Sequence, residues 1–314
     1  MDRMLQIEGL TKQFSSFTAV DNISFSVNRG EVLGFLGPNG AGKTTAMRMV
    51  SGFLTPTSGT AYVGGYDVTT APLEVKRRIG YLPEGAPLYE DMTPSELLAF
   101  ISDVRGLSGA VKREAISTAA SRINIEHVMH QAIGTLSKGY KRRVGIAQAI
   151  LHDPEILILD EPTDGLDPNQ KHEVRKLINE MAKDKAIVIS THLLDEVDTV
   201  CSRAIVIAQG KIVADGTPAD LESRSELHNA VTLRLVASQA DKAKGTIEAV
   251  ASVDRVIELT REGDFANLTA YPKSGQVVID EVSAALKTAE IDVLEIQAER
   301  GRLDEVFRRL TTAA

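Results

Sequence analysis

The chain has 314 residues, 43% of them apolar, and its 35 Lys and Arg against 43 Asp and Glu leave a formal charge of −8. That length predicts two domains, and an acidic chain without a long basic block is a poor match for nucleic acid, whose binders need clustered cations to displace counterions. One cysteine, Cys201, excludes an intrachain disulfide framework, and with no Cys/His cluster it points to a reducing, cytosolic compartment and away from a zinc site.

No run approaches the roughly 18 apolar residues of a membrane span, and Met1-Asp2-Arg3 opens without the apolar core of a signal peptide. Any work at a membrane is therefore expected to depend on spans from other chains. In chain order, Glu31 to Leu36 reads as a strand feeding a Gly-rich turn, and Thr44 to Val50 as the helix that follows. Between Pro87 and Leu136 the pattern turns helical, with Pro94 opening one helix and Lys112 to Arg122 forming another. Glu155 to Leu159 and Ala186 to Ser190 are continuous apolar runs, as strands covered on both faces require, with Pro168 to Lys183 helical between them. This alternation predicts an α/β fold with a largely parallel sheet.

Gly216-Thr217-Pro218 marks a turn, followed by a short helix from Ala219 and a charged linker over Ser223 to Asn229. Beyond it a strand (Val231 to Val236), a helix (Asp241 to Ala251), a hairpin (Val253 to Leu259 and Phe265 to Tyr271), a helix (Gly275 to Ala289) and a strand (Ile291 to Ile296) give the β-α-β-β-α-β order of a small α+β ferredoxin-like domain. Arg302 to Leu310 reads as a final helix. The expected domains are 1–222, with a helical subdomain at about 87–136, and 230–314. The region from Ser223 onward has 12 basic and 15 acidic residues, which argues against RNA binding there despite the ferredoxin-like order.

Gly37-Pro38-Asn39-Gly40-Ala41-Gly42-Lys43-Thr44, followed by Thr45, fits the phosphate-binding loop pattern and lies between a strand and a helix, as that pattern requires. Its glycines let backbone N–H groups turn inward without a Cβ clash, Lys43 brings a mobile positive charge, and Thr44 offers a hydroxyl to a magnesium ion. The apolar strand from Ile156 ends in Asp160-Glu161, which sets two carboxylates at the carboxyl edge of the sheet, where ligands of such sheets bind. There Asp160 is suited to hold magnesium through water and Glu161 to polarise an attacking water. The basic run Lys141-Arg142-Arg143 is expected to face phosphate or solvent, and Cys201 to be a small packing residue.

With these motifs in order, the chain resembles the ATP-binding subunits of ABC transporters. Leu136-Ser137-Lys138-Gly139-Tyr140 resembles the family's signature segment, Gly165-Leu166-Asp167-Pro168 its D-loop, and His192 its switch histidine. Tyr81-Leu82-Pro83-Glu84 occupies the Q-loop position, and Phe14 the place of the aromatic ring that stacks on adenine, with Phe17 as a rival. The match runs from about Met4 to Leu221. It implies the P-loop NTPase fold of ABC ATPases and an ATPase using Mg²⁺. It also implies a homodimer in which Ser137 and Gly139 of a second subunit close over the nucleotide, Asp167 reports across the interface, and Glu161 and His192 are catalytic.

Two departures stand out. Lys138 and Tyr140 replace the usual Gly and Gln of the signature, and Glu84 replaces the usual Gln, which makes it a metal-shell residue alongside Thr44 and Asp160. Glu84-bearing segments, and the Gly301 to Phe307 tail, resemble the branch of ABC-2, multidrug and gliding-motility exporters. The implied function is to energise a separate integral membrane permease from its cytoplasmic face, with the helical region receiving the permease. The alternative is a soluble ABC ATPase acting on a non-transport macromolecular partner. Members of that kind usually carry two cassettes or a long coiled coil, and neither appears here.

Overall fold

The computed structural model describes residues 3–312, and its contacts divide the chain into two compact units, one running to Thr217 with the stretch from Leu310, the other Pro218–Arg309. The first unit opens with two long strands, β1 (Arg3–Phe14) and β2 (Phe17–Asn28), joined by a turn of two residues. Next come β3 (Val32–Leu36), α1 (Lys43–Val50), β4 (Ser58–Val63), β5 (Tyr66–Asp67), α2 (Pro72–Arg78) and β6 (Ile79–Leu82). A helical stretch follows, with α3 (Pro94–Val104), α4 (Gly109–Arg122) and α5 (Lys138–Ile150). The unit is completed by β7 (Ile156–Asp160), α6 (Pro168–Ala182), β8 (Ala186–Thr191), α7 (Leu194–Val200), β9 (Arg203–Ala208) and β10 (Lys211–Gly216).

Two sheets result. One is antiparallel, in the order β2-β1-β4-β5; the other has the order β10-β9-β3-β8-β7-β6, parallel except for β10. The antiparallel sheet was not legible in chain order. β1 pairs with β2 through several register shifts, and Gly9 sits at φ +58°, so the clean two-residue alternation that signals a strand is interrupted. The parallel strands behave as expected: every residue of β3, β7 and β8 is buried. Leu5, Ile7 and Leu10 from one sheet, Leu33, Phe35, Ile156 and Val188 from the other, and Met47 and Val50 of α1 share a single core. Burying each such side chain contributes roughly 1.5–3 kcal/mol before chain entropy is subtracted.

The helical stretch starts where Thr93 caps α3: its hydroxyl accepts from Glu96 N, and the Glu96 carboxylate accepts from Thr93 N at 2.8 Å. Among the described residues no strand lies between Leu82 and Ile156.

The second unit starts with α8 (Pro218–Glu222), then β11 (Val231–Val236), α9 (Ala240–Glu248), β12 (Val253–Glu262), β13 (Phe265–Pro272), α10 (Ile279–Thr288) and β14 (Val293–Ala298); α11 (Leu303–Thr312) is the last described element. The four strands form one antiparallel sheet in the order β12-β13-β11-β14, the arrangement of a ferredoxin-like domain. Val231, Leu233, Leu235, Leu268, Ile247, Val282 and Leu286 make its own core. The segment expected to be a charged linker is tied into this unit. Glu226 N donates to Glu305 Oε1 (3.0 Å), the Ser225 hydroxyl also reaches Glu305, and His228 Nδ1 lies 2.7 Å from Arg300 O.

Candidate active site

The parallel sheet gathers the motif residues because its register aligns the strand ends. Leu36 pairs with Thr191, Asp160 with Ser190, and Leu82 with Leu159. The segments that leave those strands, beginning at Gly37, Glu161, His192 and Pro83, therefore emerge side by side at the carboxyl edge. A cavity of about 470 Å³ opens there, lined by Phe17, Ala19, Pro38, Asn39, Gly40, Gly42, Lys43, Thr44, Thr45, Glu84 and Glu161.

The loop is built for close backbone approach. Gly42 has φ +104°, and a Cβ there would fall on the carbonyl oxygen of Ala19; a Cβ at Gly37 would lie 2.5 Å from Ile207 O. Gly42 is also the N-cap of α1 and makes no side-chain cap, so the first N–H groups of the helix remain available to an anion. Lys43 is only 6% exposed, and its ammonium donates to Gly37 O (2.7 Å) and Pro38 O (3.3 Å). Burial pulls its pKa below the ordinary 10.5, opposed by Glu161, Asp160 and Glu84.

Asp160 is fully buried. The Ser190 hydroxyl donates to its Oδ1, while Oδ2 has no hydrogen-bond partner among the described residues. A buried carboxylate oxygen left unpartnered costs free energy unless a cation or its water completes it. Among the described residues no group of three or more His, Cys, Asp and Glu forms a metal cage. Thr44 and Glu84 line the cavity, and Asp160, just before the lining Glu161, brings one free carboxylate oxygen beneath it; that set suits magnesium, which binds through one or two carboxylates plus substrate phosphates.

Glu161 adopts φ +51°, an uncommon conformation for a residue with a Cβ, and its N–H is fixed to Ser190 O at 3.0 Å. His192 Nδ1 lies 2.9 and 3.0 Å from the two Glu161 carboxylate oxygens. Because an ionised carboxylate only accepts, Nδ1 carries the proton in this pair, leaving Nε2 free of that contact.

The remaining motif residues stand apart from this cavity. Ser137 caps α5, accepting from Tyr140 N at 3.4 Å, and Asp167 caps α6, accepting from Gln170 N at 2.9 Å. Gly139 packs so tightly on Gln170 that a Cβ would overlap its Oε1. Lys138 pairs with Asp164 at 2.9 Å, holding that carboxyl below the usual carboxylate range, and its stem crosses Gly165. Tyr140 points back to His127, with OH···Nε2 2.9 Å. Both departures in the signature are thus engaged within the chain.

Of the two rings considered for the base, Phe17 lines the cavity, and Phe14 lies opposite it across the hairpin with the Lys12 ammonium 5.1 Å from its ring centre. One expectation needs correction. The basic run does not face solvent: Arg142 is 3% and Arg143 8% exposed, and Lys141 pairs with Glu90 at 2.8 Å. α5 is buried on nearly all sides, so its arginines are drawn inward. Sequence reasoning also missed Ser190, whose only signal was its place beside His192 at the end of an apolar strand. Cys201 is a buried packing residue, with burial pushing its thiol up to about 12.

Comparison with known proteins agrees with this geometry. Residues 20–164 match the family model described as ABC transporter. The chain is 38% identical over 225 residues to the probable multidrug ABC transporter ATP-binding protein YbhF of Escherichia coli, covering 71% of this chain and only 39% of YbhF. It is 32% identical to the linearmycin resistance ATP-binding protein LnrL of Bacillus subtilis, over 98% of both chains. Among solved structures, an ATP binding subunit of an ABC transporter superposes with TM-score 0.65 at 30% identity, over 70% of this chain and 92% of the other.

Proposed function

Since the chain belongs to the ATP-binding subunits of the ABC transporter family, we propose that its cavity binds ATP on Gly37 to Thr45, hydrolyses it at Glu161, and thereby drives a separate membrane permease of the exporter kind. One observation carries the catalytic part. A P-loop, a buried carboxylate with a free oxygen and a histidine-braced glutamate converge at neighbouring strand ends.

The backbone N–H groups at the start of α1 and the Lys43 ammonium hold the β- and γ-phosphates. Lys43 is placed for this, because its present partners are two carbonyls of its own loop. Phe17 offers a ring for stacking on the base. Thr44, Asp160 and Glu84 would hold Mg²⁺, which when bound offsets the charge that develops on the phosphates. Glu161 accepts the proton of the attacking water, and His192 orients that carboxylate through Nδ1 while its Nε2 is left for the γ-phosphate.

Ser137 and Gly139 do not line the cavity of their own chain, which supports closure by a second copy. Among the described residues no helix is long and apolar enough to cross a membrane. Membership of the family supports a permease partner and, with it, a position at the cytoplasmic membrane face. The relatives named for multidrug transport and linearmycin resistance support an exporter over a non-transport partner. Replacing Lys43 with Ala tests the cradle: ATP affinity is expected to fall at least a hundredfold in a fluorescent-nucleotide titration, and unchanged affinity would overturn the assignment.

A further inference from the structure

Arg142 lies one turn into α5, the helix that Ser137 caps, and its side chain is almost wholly enclosed, at 3% exposure. Among the described residues it has no close ion-pair partner. Nη1 makes a long contact of 3.5 Å to the carbonyl of Pro83, the residue before Glu84, and Nη2 lies 4.0 Å from Asp164 Oδ2. Three residues further along the same helix face, a Cβ on Gly145 would come within 2.7 Å of Leu82 and 3.1 Å of Ala86. α5 thus rides directly on the segment either side of Glu84, at Pro83 through a charge and at Leu82 and Ala86 through contact.

A guanidinium this deeply buried is costly unless opposite charge faces it. Burial does oppose its charge, and Asp164, Asp160, Glu161 and Glu84, in that order, favour it. Three of the four belong to the proposed metal shell and catalytic base. Asp164 is in turn held by Lys138 at the start of the same helix.

We infer that Arg142 is a positioning residue of the ATPase site, its guanidinium fixing the Glu84 segment and the Asp164 turn against the signature helix and balancing the carboxylates that converge there. This rests on the catalytic reading of the cavity. It makes α5 the physical link through which a movement at Ser137 and Lys138 reaches Glu84.

The full chain tests it by steady-state ATPase kinetics. Arg142→Gln keeps a donor toward Pro83 but removes the charge, and is expected to lower kcat at least tenfold with the KM for ATP within threefold. Arg142→Lys restores the charge and is expected to stay within threefold of the parent kcat. Should Arg142→Gln not fold, the double variant Arg142→Gln/Asp164→Asn removes both opposed charges and is expected to show the same kcat loss. A charge-free variant within twofold of the parent kcat, an Arg142→Lys chain as impaired as Arg142→Gln, or a KM rising in step with the kcat loss would each overturn the inference. Glu161→Gln serves as control. If it turns over normally the catalytic reading itself fails, whereas a dead Glu161→Gln beside a normal Arg142→Gln overturns only the role of Arg142.

Discussion

At the scale of single residues, the site depends on side chains held by one or two partners each. Among the described residues the Asp160 carboxylate has a single hydrogen bond, from Ser190, in a fully buried setting. Ser190→Ala leaves both carboxylate oxygens without a donor, so it is expected to cost about 1–3 kcal/mol. Denaturant titration measures the loss, and ATP should restore part of it by binding the folded state. A variant as stable as the parent would show that the Ser190 bond does not hold Asp160. The motif residues were legible because their chemistry fixes both type and spacing: Lys43 after its glycines, Asp160-Glu161 after an apolar strand. Ser190 and Arg142 were not. A serine in a strand has many ordinary reasons to be there, and an arginine in a basic run looks solvated until the helix that carries it is seen to be enclosed.

At the scale of elements, the same reading succeeded where local pattern and tertiary role agree. β3, β7 and β8 are uniformly apolar and uniformly buried, so their sequence declares them. β1 and β2 failed that test because bulges break their alternation. Between β7 and α5, His152 shows how an element junction can set a pH response. It follows α5, its Nε2 lies 3.1 Å from Ile79 O, and its buried Nδ1 has no hydrogen-bond partner among the described residues. Burial first, then Arg105, lowers its pKa from 6.5 to about 4. The folded chain refuses a proton that the unfolded chain accepts below 6.5. Stability is therefore full above 6.5 and declines as pH falls toward 4, by about 3 kcal/mol at most from this group. His152→Gln should flatten the fall of Tm between pH 6.5 and 4; an unchanged slope would assign it to other groups.

At the scale of the molecule, two units with separate cores carry different kinds of information. The first holds every residue placed in the ATP site, and its motifs identified it from sequence. The second was legible only as a β-α-β-β-α-β order, since core positions such as Leu233 and Leu268 specify a fold and not a task. Ser137 and Gly139 belong to the first unit yet lie away from its cavity, so the proposed cycle needs two copies: ATP joins them and hydrolysis releases them. The most direct test of that cycle is the Glu161→Gln chain, assayed together for ATP binding, phosphate release and mass in solution. The expected result is retained ATP binding, phosphate release slowed at least a hundredfold, and an ATP-dependent dimer. Phosphate release at the parent rate, or a chain that binds ATP and stays monomeric, would contradict the account.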